Sequence, residues 1–440
     1  MSVVPAWLPH DISFPDGFLW GTASSSHQAE GDNVHNDWWD WEQQPGRIVH
    51  GQRSGRCNNF YELYDSDFAY LAGLGLTQFR LSLEWSRIEP EEGRIDEDAI
   101  DHYRRVLEAA HRRGITPWIN LHHFALPRWF ASKGGFLDER NLSFWRRHVE
   151  RVAKALGSSA DYWHPINEAN AFAAGSYLLG VMPPGHADMD EFQRVLRNTL
   201  LMYRDAYHIL KAARPQLKVG TIHVMLPVFP ANADDENDRL LAGSFDALFN
   251  APPLLALCDG VIALPGSEPE PVAGLKGAAD FFGANYYCGV SVDHRRPMRM
   301  TPYPPGQTRL NQIGNGVYPE GLFEVLRRVQ NTRLGIPIYV AENGTGTDDD
   351  RWRIEYIAQH LVQVKRAIDA GCDVRGYFHW TSVDNFEWNH GWTAQFGLIG
   401  FDPVTFERRP RPSAEFLGRV AKQNALCAAW VDEFPRGTRL

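Results

Sequence analysis

Two glutamates, each beside an asparagine, stand at the ends of short apolar runs that are far apart in the sequence. Asn167-Glu168 closes the run that begins at Tyr162, and Glu342-Asn343 closes the run that begins at Ile338. Hydrolysis of a glycosidic bond needs two carboxyl groups flanking one bond, one holding a proton for the departing oxygen and one ionised. The two glutamates therefore predict this chemistry if the fold brings them face to face.

Other polar and aromatic side chains stand at the ends of the remaining apolar runs. They are Arg80 in the second run, His122 and His123 after the third, Asn285 and Tyr287 around the end of the sixth, and Trp380 at the end of the eighth. Amide and imidazole groups can both donate and accept hydrogen bonds, as a sugar hydroxyl requires. An indole face can pack on the C–H face of a sugar ring.

Eight apolar runs alternate with amphipathic helical stretches along the chain. The predicted strands are Phe18–Ala23, Gln78–Ser82, Thr116–Leu121, Tyr162–Asn167, Leu217–His223, Asp280–Tyr286, Ile338–Glu342 and Arg375–Trp380. Helical periodicity is clearest from Ile100 to Ala110, from Phe144 to Leu156 and from Ile354 to Ile368, and a glycine follows each stretch. This alternation predicts an α/β fold: a single-domain (β/α)8 TIM barrel over residues 1–440.

An open doubly wound sheet is the alternative, but no glycine-rich phosphate turn follows an early strand. The segments Pro227–Pro253 and Pro302–Pro305 are predicted to be long loops on the active face. A barrel carries its chemistry at the carboxyl ends of its strands, so Glu168 and Glu342 are expected to meet across the barrel mouth.

Six segments carry a resemblance to a known family. They are Phe14–Gly21 with Gln28–Gly31, Arg80–Ile88, Trp163–Ala169, Asp280–Tyr287, Tyr339–Gly344, and Tyr377–Trp380 with Asp384–Trp388. In order and in spacing they resemble the motifs of glycoside hydrolase family 1, the β-glucosidase family. The resemblance covers nearly the whole chain. It implies a TIM barrel and a retaining mechanism, with Glu168 as acid/base and Glu342 as nucleophile.

The resemblance also implies roles for the surrounding side chains. Arg80 and Tyr287 are expected to hold Glu342 ionised and oriented. The expected substrate-binding residues are Gln28, His123, Asn167, Asn285, Trp380, Glu387, Trp388 and Phe396. Pro165, Ala169 and Ala341 depart from the usual family pattern beside the two glutamates, which leaves the pH optimum open. Glu387 argues against the phospho-glycosidase branch, since a carboxylate there would repel a phosphate.

Composition excludes several classes of partner. Lys plus Arg number 44 against 54 Asp plus Glu, a formal net charge of −10, which disfavours nucleic acid and anionic membranes. No secretory signal precedes Phe18 and no long apolar stretch predicts a membrane span. The five cysteines lack paired spacing, so reduced thiols and a cytoplasmic location are expected. The oligomeric state stays open, including a homo-oligomer.

The leading hypothesis is a retaining exo-β-glycosidase, specifically a β-glucosidase acting on small β-glucosides or cello-oligosaccharides, without metal or cofactor. Activity on β-galactosides or β-fucosides and net transglycosylation stay open as alternatives on the same scaffold. A sugar-binding protein without catalysis and a metal-dependent barrel enzyme using His122-His123 are alternatives from other classes. Retention predicts carboxyl groups about 5–5.5 Å apart, whereas inversion needs more than about 6.5 Å.

Overall fold

The computed structural model describes residues 7–8, 10–296, 300–306 and 309–433, and eight strand positions form its central sheet. In chain order these are β1 (Leu19–Ala23), β2 (Gln78–Ser82), β3 (Thr116–His122), β4 (Tyr162–Ile166), β5 (Lys218–Val219 and Thr221–Val224), β6 (Phe282–Asn285), β7 (Ile338–Asn343) and β8 (Val374–Trp380). Each predicted strand is present, with ends that agree or differ by at most two residues. Parallel pairing runs from β1 to β4 in order, and β8 pairs with both β7 and β1.

The sheet closes through β5, which is interrupted at Gly220. Lys218–Val219 pairs with β4, whereas Thr221–Val224 pairs with β6, and a bridge between Asn167 and Ile222 joins the two sides. A side chain at position 220 would place its Cβ 2.4 Å from the ring of Phe281. Glycine therefore allows the close approach at which the strand changes neighbours, and the sheet becomes a barrel.

Helices follow the strands and cover the outside of the barrel. The longer ones are α1 (Phe60–Leu74), α2 (Glu97–Arg112), α3 (Leu142–Leu156), α4 (Met189–Ala213), α5 (Glu236–Phe249), α6 (Ala251–Asp259), α7 (Glu320–Asn331), α8 (Asp350–Asp369) and α9 (Pro412–Gln423). Aspartates cap several of them: the carboxylate of Asp96 accepts from the backbone of Ala99 at the start of α2. The apolar faces predicted for α2, α3 and α8 are buried.

Shorter helices and strands complete the fold. Short helices are Ser26–Ala29, Asp37–Glu42, Trp85–Ile88, Arg128–Ala131, Ala169–Ala173 and Ala428–Glu433, with single helical turns at Val49–Gly51, Gly135–Leu137, Glu139–Asn141, Ala174–Leu178 and Trp388–His390. Short strands outside the barrel are Ile12–Ser13, Val228–Pro230, Val261–Ile262, Glu270–Pro271, Val290–Val292, Met300–Thr301, Ile399–Phe401, Arg408–Pro410 and Ala425–Leu426.

The prediction of a loop over Pro227–Pro253 was wrong. This segment contains the short strand Val228–Pro230, all of α5 and the start of α6. Asp235 caps α5 by accepting from two backbone amides, and Pro252 and Pro253 lie in the first turn of α6, where proline suits a helix. Pro302–Pro305 lies outside helix and strand, as predicted.

Aromatic side chains fill the amino-terminal end of the barrel. Trp118 of β3 lies 3.9 Å from Tyr162 between ring centroids, and it meets Phe281, Tyr339 and Phe378 edge-on at 4.9–5.1 Å. These side chains are contributed by several strands and form one buried cluster. The opposite, carboxyl-terminal end of the barrel is where the polar side chains collect.

Two further expectations can be compared with the structure. Among the described helices, none alone has the length and apolarity of a membrane span, although α5 and α6 together, bent by 50°, reach that apolarity by composition. Ala242, Phe249, Leu254 and Leu257 of this pair are buried within the protein. All five cysteines are free thiols, as predicted.

Candidate active site

Glu342 lies in β7 at the carboxyl-terminal end of the barrel, and charged and polar donors hold both of its oxygens. Arg80 of β2 donates through Nη1 to Oε1, and the hydroxyl of Tyr287, which follows β6, donates to Oε2 at 2.6 Å. The carboxylate is only 3% exposed. The guanidinium and the phenol hydroxyl therefore fix the position of this buried carboxylate through one hydrogen bond to each oxygen.

Glu168 directly follows β4, and its carboxyl has a different environment. The amide nitrogen of Asn285 donates to its Oε1 at 2.6 Å, and the residue is 7% exposed. Burial, followed by the charge of Glu342, raises the pKa of Glu168 from 4.5 to about 8. This carboxyl therefore keeps a proton at neutral pH while its neighbour Glu342 is paired with a cation.

The backbone of Glu168 is in the left-handed region, with φ of 48° and ψ of 59°. Its amide donates to the carbonyl of Ile222 at 2.9 Å, and its carbonyl accepts from Phe172 at 2.9 Å, so strand and helix both fix it. Left-handed backbone costs a non-glycine residue about 1–2 kcal/mol. The turn ends β4, begins the helix Ala169–Ala173 and sets the point from which the carboxyl projects.

Arg80 connects the two carboxyl environments. Besides Glu342 it contacts the carbonyl of Ala341 at 3.3 Å through Nη1, and it donates through Nη2 to Oδ1 of Asn167. Asn285 donates to the same oxygen of Asn167 at 3.3 Å. The amide nitrogen of Asn167 lies 3.3 Å from Nε2 of His123. One hydrogen-bonded network thus runs across strands β2, β4, β6 and β7.

Glu387 and its partners form a second polar group after β8. Gln28 donates to Oε2 of Glu387 at 3.3 Å and to the carbonyl of Phe386 at 3.0 Å. Burial, and next the charge of Glu342, raises the pKa of Glu387 to about 8, while hydrogen bonds from Gln28 and Trp380 lower it. In the unliganded protein this carboxyl is therefore largely protonated at neutral pH.

Aromatic rings line the space between these groups. The rings of His123 and Trp380 stack at 5.6 Å, and those of His123 and Trp388 stack at 6.1 Å. Phe396 packs in the cluster of Trp380, Ala23 and Ala394 and meets Tyr287 edge-on at 6.3 Å. Flat apolar surfaces beside paired polar groups are the combination that a sugar ring needs.

The structure brings all twelve predicted site residues into one connected region. Contacts link Glu168, Asn285, Asn167, Arg80, Glu342, Tyr287, Phe396, Trp380, His123, Trp388, Glu387 and Gln28. His122, the other histidine of the pair, points instead between the rings of Phe136 and Phe172, at 4.9 and 4.8 Å. Its partner His123 faces the site.

Sequence reasoning missed two sets of residues that support the site. His164 accepts a hydrogen bond from Nε of Arg80 at 2.8 Å, and Arg411 pairs with Asp384 at the start of the segment that carries Glu387. His164 could have been noticed as a polar residue inside the otherwise apolar run Tyr162–Ile166. Arg411 is distant in sequence, and nothing local indicates its partner.

One cluster of described residues has the donor atoms to hold a cation. Asp235 and Asp238 of the start of α5 lie 3.6 and 2.8 Å from Nδ1 of His294. Their oxygens already accept from backbone amides of Asn232, Asn237 and His294. Asp235 therefore serves as the cap of α5, and Asp238 holds the loop that carries His294.

A comparison of the whole chain with models of known protein families identifies its family. A family model described as "Glycosyl hydrolase family 1" matches residues 10–426. The chain belongs to glycosyl hydrolase family 1. Both glutamates, and every residue of the network around them, fall inside the matched range.

Relatives of this family 1 glycosidase are similar along almost their entire length. "Beta-glucosidase A" of Thermotoga maritima is 29% identical over 443 residues, covering 94% of this chain and 98% of the relative. The structure of a "beta-glycosidase from Pyrococcus horikoshii" superposes with a TM-score of 0.88 at 37% identity, covering 98% of this chain and all of the other. The Thermotoga maritima β-glucosidase in complex with glucoimidazole gives 0.86 at 27% identity, covering 94% and 100%. The fold is the TIM barrel and the mechanism is that of a retaining glycosidase.

Proposed function

We propose that this family 1 glycosidase is an exo-acting β-glucosidase that removes a terminal β-glucose from small β-glucosides or cello-oligosaccharides. The observation that carries the proposal is the contrast between the two carboxyl groups. Glu342 receives bonds from Arg80 and Tyr287, whereas Glu168 receives one neutral amide and has a raised pKa of about 8. Retaining hydrolysis requires this division between an ionised nucleophile and a protonated acid.

The proposed first step joins the sugar to the protein. A carboxylate oxygen of Glu342 attacks the anomeric carbon while the bond to the leaving oxygen breaks, and Glu168 gives its proton to that oxygen. The alcohol departs and leaves Glu168 ionised. Positive charge that develops on the sugar ring is stabilised by the carboxylate of Glu342 before the bond closes.

The proposed second step reverses the role of Glu168. Water enters where the alcohol left, Glu168 takes one of its protons, and the oxygen attacks the anomeric carbon from that side. The bond to Glu342 breaks, and Glu342 returns as a carboxylate held by Arg80 and Tyr287. Two inversions at one carbon give overall retention, and both steps balance with protons supplied by Glu168 and water alone.

Sugar recognition is proposed for the polar and aromatic groups around the two carboxyls. Asn167, on the Arg80 network, is suited to the 2-hydroxyl, where hydrogen bonds strengthen in the transition state. Gln28 and Glu387 are suited to two neighbouring hydroxyls at the far side of the ring. The remaining proposed contacts come from His123, Asn285, Trp380, Trp388 and Phe396. The buried aromatic end of the barrel supports a pocket that is closed behind the terminal sugar.

Two further proposals accompany this one. Residues 1–440 are proposed to act as one glycoside hydrolase domain, since the family match spans residues 10–426. A cytoplasmic location is supported by the five free thiols.

The test assigns the two glutamates by the anomer that each variant forms with azide. Glu168→Ala should react with 2,4-dinitrophenyl β-glucoside, whose leaving group needs no acid, and should yield β-glucosyl azide in the second step. Glu342→Ala should yield α-glucosyl azide from an activated β-glucoside, since azide takes the place of the nucleophile. If the two variants formed the opposite anomers, the roles of Glu168 and Glu342 would be exchanged. If azide rescued neither variant, both role assignments would be wrong.

A panel of aryl β-glycosides tests the sugar preference. We expect the highest kcat/KM on the glucoside, with β-galactoside and β-fucoside as weaker substrates. Proton NMR of the first product from wild-type protein should show the β-anomer before mutarotation. A first-formed α-anomer would overturn the proposed mechanism, and turnover no greater than that of Glu342→Ala would favour a sugar-binding protein without catalysis.

A further inference from the structure

We propose that His164 is a positioning residue for the nucleophile: its ring nitrogen holds the guanidinium of Arg80 in the orientation that serves Glu342 and Asn167 together. The inference rests on the proposed function, because it assigns a role within the same site. His164 lies in β4 and is fully buried, and its Nε2 accepts from Nε of Arg80 at 2.8 Å.

The geometry of the guanidinium explains why this contact matters. The group is planar, and its donors diverge in fixed directions. Arg80 uses Nε toward His164, Nη1 toward Glu342 and Nη2 toward Asn167. Once Nε is held, the plane can no longer turn about the end of the side chain. Nη1 then points to Glu342, the proposed nucleophile, and Nη2 points to Asn167, the proposed partner of the 2-hydroxyl. Neither donor has to reorient during the reaction.

A neutral acceptor suits this position better than a charged one. Arg80 is buried beside Glu342, with Glu168 and Glu387 close enough to influence each other's charge. A carboxylate at position 164 would share the single positive charge and weaken its hold on Glu342. An apolar side chain would leave Nε of Arg80 buried without a partner. Imidazole accepts one bond and carries no charge, so it orients Arg80 without neutralising it.

The surroundings of His164 keep it neutral. Burial, followed by the charges of Arg80 and His123, holds its pKa well below the usual 6.5. Since Nε2 accepts from Arg80, the ring proton must be on Nδ1. Among the described residues no hydrogen-bond partner is found for that nitrogen. The bond to Arg80 is therefore the polar contact that orients the ring.

Two substitutions separate orientation from space filling. His164→Gln keeps a neutral acceptor, whereas His164→Leu keeps an apolar side chain of similar size and removes the acceptor. His148→Leu is the matched control, since His148 of α3 is equally buried and stacks on Trp85 at 4.5 Å, outside the site. Rates are measured as the burst and steady state with 2,4-dinitrophenyl β-glucoside, with KM and Tm for each protein.

We expect His164→Leu to slow formation of the glycosyl-enzyme by about tenfold to a hundredfold, the usual cost of a misplaced reacting group, with little change in KM. Glu168, Glu387, Tyr287 and His123 also face this region and are unchanged in all variants. His164→Gln should stay within about threefold of wild type, and His148→Leu should lower Tm without slowing the burst.

Three results would overturn the inference. The first is a folded His164→Leu protein that keeps its burst rate within about twofold of wild type. The second is His164→Gln losing as much activity as His164→Leu, which would assign the side chain to packing, and the third is a His164 ring protonated at Nε2. Nitrogen-15 NMR of histidine-labelled protein reads the His164 tautomer directly, by difference from His164→Gln. If wild type lacks turnover, the proposed function fails, yet a ring protonated at Nε2 would still overturn the inference independently.

Discussion

The guanidinium of Arg411 bonds both carboxylate oxygens of Asp384, at 3.0 and 2.6 Å, where the segment carrying Glu387 leaves the end of β8. Arg411 also donates to the carbonyl of Gly397 at 2.6 Å, and Asp384 accepts from the amide of Gly397 at 2.8 Å. Both ends of the segment 384–397 are therefore tied to one buried ion pair. The positions of Glu387 and Trp388 depend on it.

Arg411→Met is expected to loosen this segment. It leaves the Asp384 carboxylate buried without its cation, which typically costs about 3–5 kcal/mol in the free energy of unfolding. KM for an aryl β-glucoside should rise more than kcat falls, because Glu387 and Trp388 are proposed to contact the sugar rather than the reacting bond. Urea unfolding and steady-state kinetics measure the two effects. Arg375→Met is the control: its pair with Asp373 is about half exposed, and we expect a loss below about 1 kcal/mol. Equal effects of the two changes would contradict the assignment.

Glu168 and Glu387 should make the unliganded protein less stable as pH rises. Each has a pKa raised from 4.5 to about 8, so between these values the native state binds more protons than the unfolded state. The free energy of unfolding then falls with pH; the stabilisation is fully present below about pH 4.5 and is lost as pH rises through about 8. Buried histidines such as His27, with a pKa lowered to about 3, act in the opposite direction only below about pH 6.5.

Calorimetry between about pH 6.5 and pH 8.5 therefore reports the carboxyl groups with a raised pKa, which include Glu30 at about 7, and substitution separates Glu168 and Glu387 from the others. Wild-type Tm should fall across this range. Glu168→Gln and Glu387→Gln should each fall less steeply, because an amide does not titrate. A variant whose Tm follows the wild-type curve would show that its carboxyl has the same pKa in the folded and unfolded states.

Glu387 should lose its proton when a sugar binds. Its raised pKa keeps it largely protonated at pH 7 in the unliganded protein, whereas hydroxyl donors from a bound sugar favour the ionised carboxylate. Titration calorimetry of a neutral glucose-shaped inhibitor in buffers of different ionisation enthalpy measures the protons exchanged. We expect release of up to about one proton in wild type and markedly less in Glu387→Gln. The same proton count in both proteins would assign the release to Glu168 or another group.

Gly344 is a position where even a methyl group does not fit. It follows Glu342-Asn343, and a Cβ there would lie 1.8 Å from the carbonyl oxygen of Trp380, a backbone atom that cannot turn away. Gly344→Ala should therefore displace the end of β8 and lower both stability, by about 3 kcal/mol or more, and activity. Gly243→Ala is the matched control: it lies in α5 with no neighbour within 4 Å, and alanine there should add up to about 1 kcal/mol of stability. Thermal unfolding of both variants should give opposite signs, and the same sign would refute the steric argument.

The barrel and most of the site follow from local patterns in the sequence. Gln78–Ser82 is the second strand in both prediction and structure, because its alternating polar and apolar residues are typical of a strand. Glu168 and Glu342 could be placed on one rim because parallel strands end on the same side.

Other features depend on partners that the sequence does not place together. The break of β5 at Gly220 reflects the ring of Phe281, about sixty residues further along the chain, so the run Leu217–His223 reads as one strand. The left-handed backbone of Glu168 accompanies hydrogen bonds to Ile222 and Phe172, and its own residue type does not predict it. Likewise α5 was missed because its first turn, Glu236–Asp238, is as polar as a loop.

The aromatic cluster around Trp118 fills the amino-terminal end of the barrel. In the proposed reaction, sugar, departing alcohol and incoming water therefore share the carboxyl-terminal mouth, and they pass through it in turn. While a glycosyl group is attached to Glu342, the space vacated by the first alcohol is where any second acceptor arrives. The ratio of hydrolysed to transferred sugar then depends on whether water or a second alcohol occupies that space first. Side chains at the rim, rather than the two carboxyls, would decide that ratio.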